Sequence, residues 1–239
     1  MLYKQNQSYE LDEKLFKNPT SEYRAAPFWA WNCKLNKDIL NEQIDIFKKM
    51  GFGGFHMHSR IGMSTPYLKD EFMGLIKFCT QKAEQENMLA YLYDEDRWPS
   101  GSAGGYVTKT HKYRQRYLIF SQNSREHFSL DEAINSSKDY LLAVFDVVLN
   151  EKGELKSYHT ISENDTAIGT KWYAYVHTHD ESPWHNNQTY VDTLNKEAID
   201  EFIKITYEAY QSAVGDKFDK IIPSIFTDEP QCKPKIPLS

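Results

Sequence analysis

Three apolar runs, separated from one another by helix-like segments, constrain the fold of this chain more than any other feature. The segment between the first two runs has apolar residues at helical spacing, with Asn36 as its cap and Gly51 at its end. The next segment carries Pro66 near its predicted first turn. Continuous apolar strands that alternate with helices predict a parallel sheet with right-handed crossovers. The three runs are APFWAWN (26–32), FGGFHMHSR (52–60) and LAYLYDE (89–95).

The pattern changes after about residue 117. Strand-like segments follow one another there without helices between them, and Lys152-Gly153 has the composition of a hairpin turn. This predicts an antiparallel insertion over residues 117 to about 180. Asn195 then caps a long predicted helix, and IIPSIFTDEP (221–230) forms a fourth apolar strand that ends in acids.

The predicted fold class is therefore α/β. It is a partial (β/α)8 TIM barrel of about four strand-helix units, with an antiparallel β insertion after strand 3. An open four-stranded α/β domain is the alternative. The predicted divisions are a lead-in (1–23), the first part of the barrel (24–116), the inserted subdomain (117–185) and the continuation of the barrel (186–239).

Charge and composition exclude some classes of partner. The net charge is −6 and no long basic block exists, which argues against nucleic acid. No run reaches the roughly 18 apolar residues of a membrane span, and the amino terminus lacks the apolar core of a signal peptide. Cys33, Cys79 and Cys232 are far apart and odd in number, which indicates reduced thiols rather than disulfides or a zinc cluster. We therefore expect a cytoplasmic protein that does not bind membranes, and the alternative is a fragment of a longer secreted chain, which would have the same features.

Acidic residues follow two of the predicted strands, as Asp94-Glu95-Asp96 and as Asp228-Glu229. In a parallel sheet both clusters emerge at the same edge, where α/β folds bind ligands. Two carboxylates across a cleft can hydrolyse a glycoside, with retention at about 5 Å separation and inversion at roughly 6.5–9.5 Å. The alternative is that these acids are solvated loop residues, or charges favoured at helix amino termini.

Five motifs in register resemble the N-terminal half of the catalytic barrel in the α-L-rhamnosidase-like glycoside hydrolases, family 106 and its relatives. The resemblance runs from about residue 24 to 230. It implies a (β/α)8 barrel, hydrolysis of a terminal sugar with inversion, and in some members a calcium ion near the sugar. Full members are several times longer, so a missing C-terminal barrel half or self-association is an expected partner. The motifs are PFWAWN, MGFGGFHMHSR, YDEDRWPSGSAGG, YVDTLN and IFTDEP.

The resemblance also suggests roles for the acids. It makes Glu229 and Glu95 the catalytic pair, with Glu229 as general acid and Glu95 activating water, although the two roles could be exchanged. Asp94, Asp228 and Asp192 become ligands of sugar hydroxyls or of calcium, which prefers hard oxygen donors. The implied substrate is an α-L-rhamnoside or a related plant glycoside.

Further candidates surround these acids. His56 and His58, two apart on one strand, share a side of the sheet and could contact sugar hydroxyls, bind a metal or simply pack. Arg60 could pair with a rim carboxylate or face solvent. Three residues at or just after predicted strand ends are predicted to contact substrate, the two tryptophans by stacking on it, namely Trp31, Asn32 and Trp98.

Two alternative functions remain open from sequence. The first is a non-catalytic or vestigial sugar-binding protein that keeps the acidic edge. The second is a metal-dependent, amidohydrolase-like enzyme that uses His56 and His58. GSAGG (101–105) lacks the spacing and the lysine of a phosphate-binding loop, and is predicted to be a turn that starts the following helix.

Overall fold

The computed structural model describes residues 9–185 and 187–231, apart from the side chain of Trp184, and Cys232 lies outside these ranges. The chain divides into two compact units. One contains Met1–Gly104 and Asp200–Pro230, and the other contains Gly105–Ile199 and Gln231–Ser239. The fold is mixed α/β, with a parallel sheet in the first unit and a separate antiparallel sheet in the second.

The sheet of the first unit has the order β1-β2-β3-β8, and each neighbouring pair is parallel, as the sequence predicted. The fourth strand is much shorter than the predicted run from 221 to 230, since Ile225 and Phe226 form its register pairs with β3. Amides of β3 also donate to the carbonyls of Ile221 and Ser224. The closed barrel implied by the resemblance stays a prediction. The strands are β1 (Phe28–Trp31), β2 (Gly54–Ser59), β3 (Leu89–Tyr93) and β8 (Ile225–Phe226).

Within the described residues, four α-helices contribute to the first unit, one of them only from Asp200 onward. Asn36 caps the second of them through hydrogen bonds from the amides of Asp38 and Ile39, which confirms the predicted start. The third helix begins four residues after Pro66, so its predicted start was wrong. Leu68, at φ +56°, interrupts helical geometry between the two points. The helices are α1 (Glu13–Lys17), α2 (Lys37–Lys49), α3 (Asp70–Gln85) and α5 (Lys196–Val214).

The core of the first unit lies between the sheet and helices α2 and α3. Trp29 packs edge-on against Trp31 and Phe55, with ring centroids 5.6 and 5.2 Å apart. Trp31 also contacts Phe72 of α3, at 5.7 Å between centroids. Complete burial of a large apolar side chain contributes about 1.5–3 kcal/mol, so this aromatic cluster holds the helices on one face of the sheet.

The second unit is built on an antiparallel sheet of order β4-β7-β5-β6. The turn between β5 and β6 closes with a hydrogen bond from the amide of Asn150 to the carbonyl of Glu154, and Gly153 lies at φ +77°. The predicted hairpin turn is thereby confirmed. The strands are β4 (Arg116–Ser121), β5 (Tyr140–Leu149), β6 (Leu155–Ile161) and β7 (Thr170–Thr178).

Two further expectations about helices were wrong. Helix α4 (Leu130–Ser136) lies within the segment predicted to contain strands alone, and its capping box of Ser129 and Glu132 is visible in the sequence. No helix starts at residues 101–105, because three glycines and Ala103 take positive φ values there and form successive turns.

Among the described residues, no helix is long and apolar enough to cross a membrane.

Candidate functional site

The acids that follow β3 and β8 begin side by side, because the two strands are neighbours. Tyr93 pairs with Phe226, and the amide of Asp94 donates to the carbonyl of Phe226 at 3.2 Å. Farther out, the amide of Ser100 donates to the carbonyl of Asp228 at 2.9 Å. The two acidic segments are therefore held together at the carboxyl edge of the sheet, where the sequence placed them.

Glu95 is buried and enclosed by backbone amides. Its Oε2 accepts hydrogen bonds from the amides of Gly101, Ser102 and Ala103, at 3.0, 2.9 and 2.7 Å. Its Oε1 accepts from the amides of Asp96 and Gly104. Five donors exceed the roughly four lone-pair sites of a carboxylate. Burial raises the pKa of Glu95 to about 7, although the hydrogen bonds from backbone N–H groups act in the opposite direction and lower it.

This geometry differs from that of a water-activating base, the role that sequence suggested for Glu95. Such a base needs a free lone pair directed at a water in the cleft. The loop 101–104 is instead folded around the carboxylate, with Ala103 at φ +51° and Gly104 at φ +63°. Left-handed backbone at a non-glycine residue is maintained only where surrounding contacts enforce it, and here those contacts are the bonds to Glu95.

Asp94 is also fully buried, and it is bound by hydroxyl groups. Its Oδ1 accepts from Ser100 at 2.6 Å, and its Oδ2 accepts from Thr227 at 2.6 Å and from Tyr207 of α5 at 2.8 Å. Burial raises its pKa, and the hydroxyl donors oppose that shift. The predicted contact of Asp94 with sugar or calcium would require these donors to be displaced.

Asp228 lies nearer the surface than Asp94. Its amide donates to Oγ of Ser100, and its Oδ2 lies 3.9 Å from Nε2 of His58. Burial is the main cause that raises the pKa of Asp228, Glu229 adds to it, and the guanidinium of exposed Arg60 opposes it. Three predicted site residues, His58, Arg60 and Asp228, therefore act on one another.

Glu229 is exposed and adopts φ +23°. Nε1 of Trp98 donates to its Oε2 at 3.1 Å. The structure thus brings together Trp98 and Glu229, an accessible carboxylate beside a half-buried indole that can cover the apolar face of a ring-shaped ligand.

His56 and His58 stand on the same face of the sheet, as predicted, each stacked on a tyrosine of β3. The ring centroids are 4.4 Å apart for His56 and Tyr91, and 3.9 Å apart for His58 and Tyr93. Burial lowers both pKa values, that of His58 to about 4 with a further contribution from Arg60. Both imidazoles are therefore neutral at pH 7. Within the described part of the chain, no group of three or more His, Cys, Asp or Glu is arranged to hold a metal ion.

Three further predicted residues differ in their surroundings. Trp31 is 1% exposed and points to the helix-covered face, because strand alternation puts it on the same side as Trp29, so its predicted stacking on a substrate is not available. Asn32 is exposed at the end of β1. Asp192 belongs to the second unit, where its Oδ1 accepts from the amide of Leu194 at 3.1 Å.

Sequence reasoning missed Ser100, Thr227 and Tyr207, which together bind Asp94. Ser100 and Thr227 carried a weak signal, since each lies within a motif that also contains acids. Tyr207 carried none, because its contact with Asp94 spans 113 positions of the chain.

No family model and no curated protein matches the sequence. Among solved structures, the chain is similar to a rhamnosidase from Novosphingobium sp. PP1Y, with a TM-score of 0.40 and 15% identity over 60% of this chain. The chain covers 17% of the length of that structure. Similarity at this level defines neither a family nor an activity.

Proposed function

We propose that the chain is part of a glycoside hydrolase that removes a terminal sugar, an α-L-rhamnoside or a related plant glycoside, and that its parallel sheet is a segment of a (β/α)8 barrel. The observation that carries the proposal is the edge formed by β3 and β8. There the exposed carboxylate of Glu229 and the partly buried one of Asp228 adjoin an indole, a guanidinium and the neutral imidazole of His58. The resemblance of five ordered motifs supports the same reaction class.

Asp228 and Glu229 take the acid/base work in this proposal. A general acid in glycoside hydrolysis needs a raised pKa, and the pKa of Asp228 is raised. Glu229 is the more open of the two and can reach the reacting bond or a water. Trp98 orients Glu229 through its N–H, and Arg60 and His58 restrict Asp228. Glu95 builds the loop and takes no proton in this scheme.

The test compares three substitutions for hydrolysis of an aryl α-L-rhamnoside and a panel of other aryl glycosides. Glu229→Gln and Asp228→Asn should each reduce kcat by about 10²- to 10⁴-fold, the usual contribution of a positioned acid or base. Glu13→Gln, on the exposed surface of α1, is the matched control and should retain full activity. Near-normal turnover in Glu229→Gln would remove that residue from the mechanism.

A second candidate is a sugar-binding protein without catalysis. The observation that favours it is the complete occupation of Glu95 and Asp94, which leaves the acids after β8 as the accessible carboxylates of this edge. Calorimetry separates the two functions. Saturable binding of rhamnose or a rhamnoside without release of reducing sugar, at any pH between 4 and 8, supports binding alone.

A further inference from the structure

Ser100 joins the acids that follow β3 to those that follow β8. Its hydroxyl donates to Oδ1 of Asp94 at 2.6 Å and accepts from the amide of Asp228 at 2.9 Å. Its own amide donates to the carbonyl of Asp228, also at 2.9 Å. Ser100 is 1% exposed, so water does not compete for these contacts. One buried residue therefore binds the carboxylate of the first acid and the backbone of the second.

Asp94 fixes the direction of the Ser100 hydroxyl. Three hydroxyl groups donate to this carboxylate, those of Ser100, Tyr207 and Thr227. An ionised carboxylate accepts only, so the single hydrogen of the serine hydroxyl is used on Asp94, and the lone pairs of its oxygen remain for the amide of Asp228. Because Tyr207 and Thr227 hold the other oxygen of Asp94, the carboxylate cannot turn away from the serine without breaking those bonds.

The segment that contains Ser100 also contacts Glu229. Just before the serine, Nε1 of Trp98 donates to Oε2 of Glu229 at 3.1 Å. Glu229 adopts φ +23°, a backbone conformation that non-glycine residues keep only where neighbouring contacts enforce it. The two bonds from Ser100 to the backbone of Asp228 fix the residue directly before Glu229. Residues 98–100 therefore contact both acids after β8, one through its backbone and the other through its side chain.

We propose that Ser100 is a positioning residue for Asp228 and Glu229, and that it acts through its two bonds to the backbone of Asp228. This role rests on the proposed function, in which these two acids do the acid/base work. Because Ser100 is buried, it does not contact the sugar itself. It holds the two acids at a fixed distance from the bond on which they act, with Asp94 as its anchor. Displacement of a catalytic group by about 1 Å can slow a reaction about 100-fold.

Hydrolysis of the aryl glycoside that the original protein cleaves fastest is the first measurement. Ser100→Ala should reduce kcat by about 10- to 100-fold and leave KM within about twofold, because the acids are displaced while the sugar still binds. Ser100→Thr keeps the hydroxyl and should recover most of the lost kcat. Ser102→Ala is the matched control and should retain full activity, because the Ser102 hydroxyl lies in the same loop and has no hydrogen-bond partner among the described residues.

The second measurement does not depend on hydrolysis. In a proton–nitrogen correlation NMR spectrum each tryptophan gives an indole signal, and Trp98→Phe identifies the signal of Trp98. Glu229→Gln should shift this signal, because it replaces the acceptor of the indole N–H. When Ser100→Ala is also present, the shift caused by Glu229→Gln should fall to about half or less, because the two side chains are no longer held together. When Ser102→Ala is present instead, the shift should be unchanged.

The two measurements separate failure of this role from failure of the proposed function. If the original protein cleaves no aryl glycoside, the hydrolase proposal fails, and the indole signals alone decide whether Ser100 holds the two acids in place. The positioning role is overturned if Ser100→Ala keeps the kcat of the original protein, if Ser102→Ala lowers kcat as much, or if the Glu229→Gln shift is the same with and without Ser100→Ala. Ser100→Cys nearly keeps the volume but hydrogen-bonds weakly, and it replaces Ser100→Ala in both measurements if the alanine variant does not fold.

Discussion

The acids after β3 and those after β8 look alike in the sequence but occupy opposite environments. Asp94 and Glu95 are buried, and every carboxylate oxygen of the two accepts at least one hydrogen bond. Glu229 is exposed, with one indole donor described, and Asp228 is only partly covered. Two acidic strand ends in a parallel sheet therefore need not form a symmetrical pair. One can organise the edge while the other meets the ligand.

Glu95→Ala should have the largest effect on stability. Five backbone N–H groups would lose their acceptor, and each unsatisfied buried donor costs about 1–3 kcal/mol, partly recovered by water, so we expect a loss of about 4 kcal/mol or more. Glu229→Ala should change the free energy of unfolding by less than about 0.5 kcal/mol. Urea denaturation of the original protein and of the two variants measures both changes in unfolding free energy. Equal losses in the two variants would erase the contrast between the strand ends.

His58→Gln tests how the β8 side responds to pH. The folded pKa of His58 lies near 4, below its ordinary value of about 6.5, so the folded state binds fewer protons than the unfolded chain between these values. The contribution of His58 to stability is therefore present above pH 6.5 and is lost as pH falls towards 4. Asp228, Arg60, His56 and Tyr93 face this imidazole.

The measurable quantity is the difference in unfolding free energy between the original protein and His58→Gln. Between pH 7 and pH 4 the original protein should lose about 2–3 kcal/mol more unfolding free energy than His58→Gln does. The buried acids with raised pKa values are present in both proteins and affect the difference little. A difference that does not vary with pH would mean that His58 titrates normally in the folded state.

Tyr207→Phe should reduce stability less than Glu95→Ala or His58→Gln. It removes one of three hydroxyl donors from Asp94, while Ser100 and Thr227 remain, so a loss of about 1 kcal/mol is expected. Tyr158→Phe, at a tyrosine that is 60% exposed, is the control and should be neutral. A neutral Tyr207→Phe would show that the hydroxyl network around Asp94 is not a source of stability.

Periodicity was sufficient to predict the framework of the first unit. The strands β1 to β3, the cap at Asn36 and the proximity of the acids after β3 and β8 all follow from patterns a few residues long. The start of α3 could not be predicted, because it depends on the left-handed backbone at Leu68. Helix α4 could have been predicted from the Ser129–Glu132 spacing.

The environment of each acid was beyond the reach of sequence patterns. The burial of Glu95 depends on how the loop 101–104 turns its amides inward, and that requires positive φ at Ala103, a residue with no special preference for it. Two of the three hydroxyl neighbours of Asp94, Tyr207 and Thr227, come from distant parts of the chain. Trp31 was misplaced for a simpler reason, since alternation with Trp29 already assigned it to the buried face.

The loop 101–104 also limits how this part of the chain can change in length. Four consecutive amides converge on a single side chain, so one inserted residue would rotate the amides that follow it out of phase with Glu95. In the exposed turn between β5 and β6 two amides, those of Lys152 and Glu154, donate to Oδ1 of Asn150, so an insertion at its tip disturbs fewer contacts. Variation in length should therefore be tolerated in the turn between β5 and β6 and rejected in the loop 101–104. In that loop, only substitution of side chains that point away from Glu95 should be tolerated.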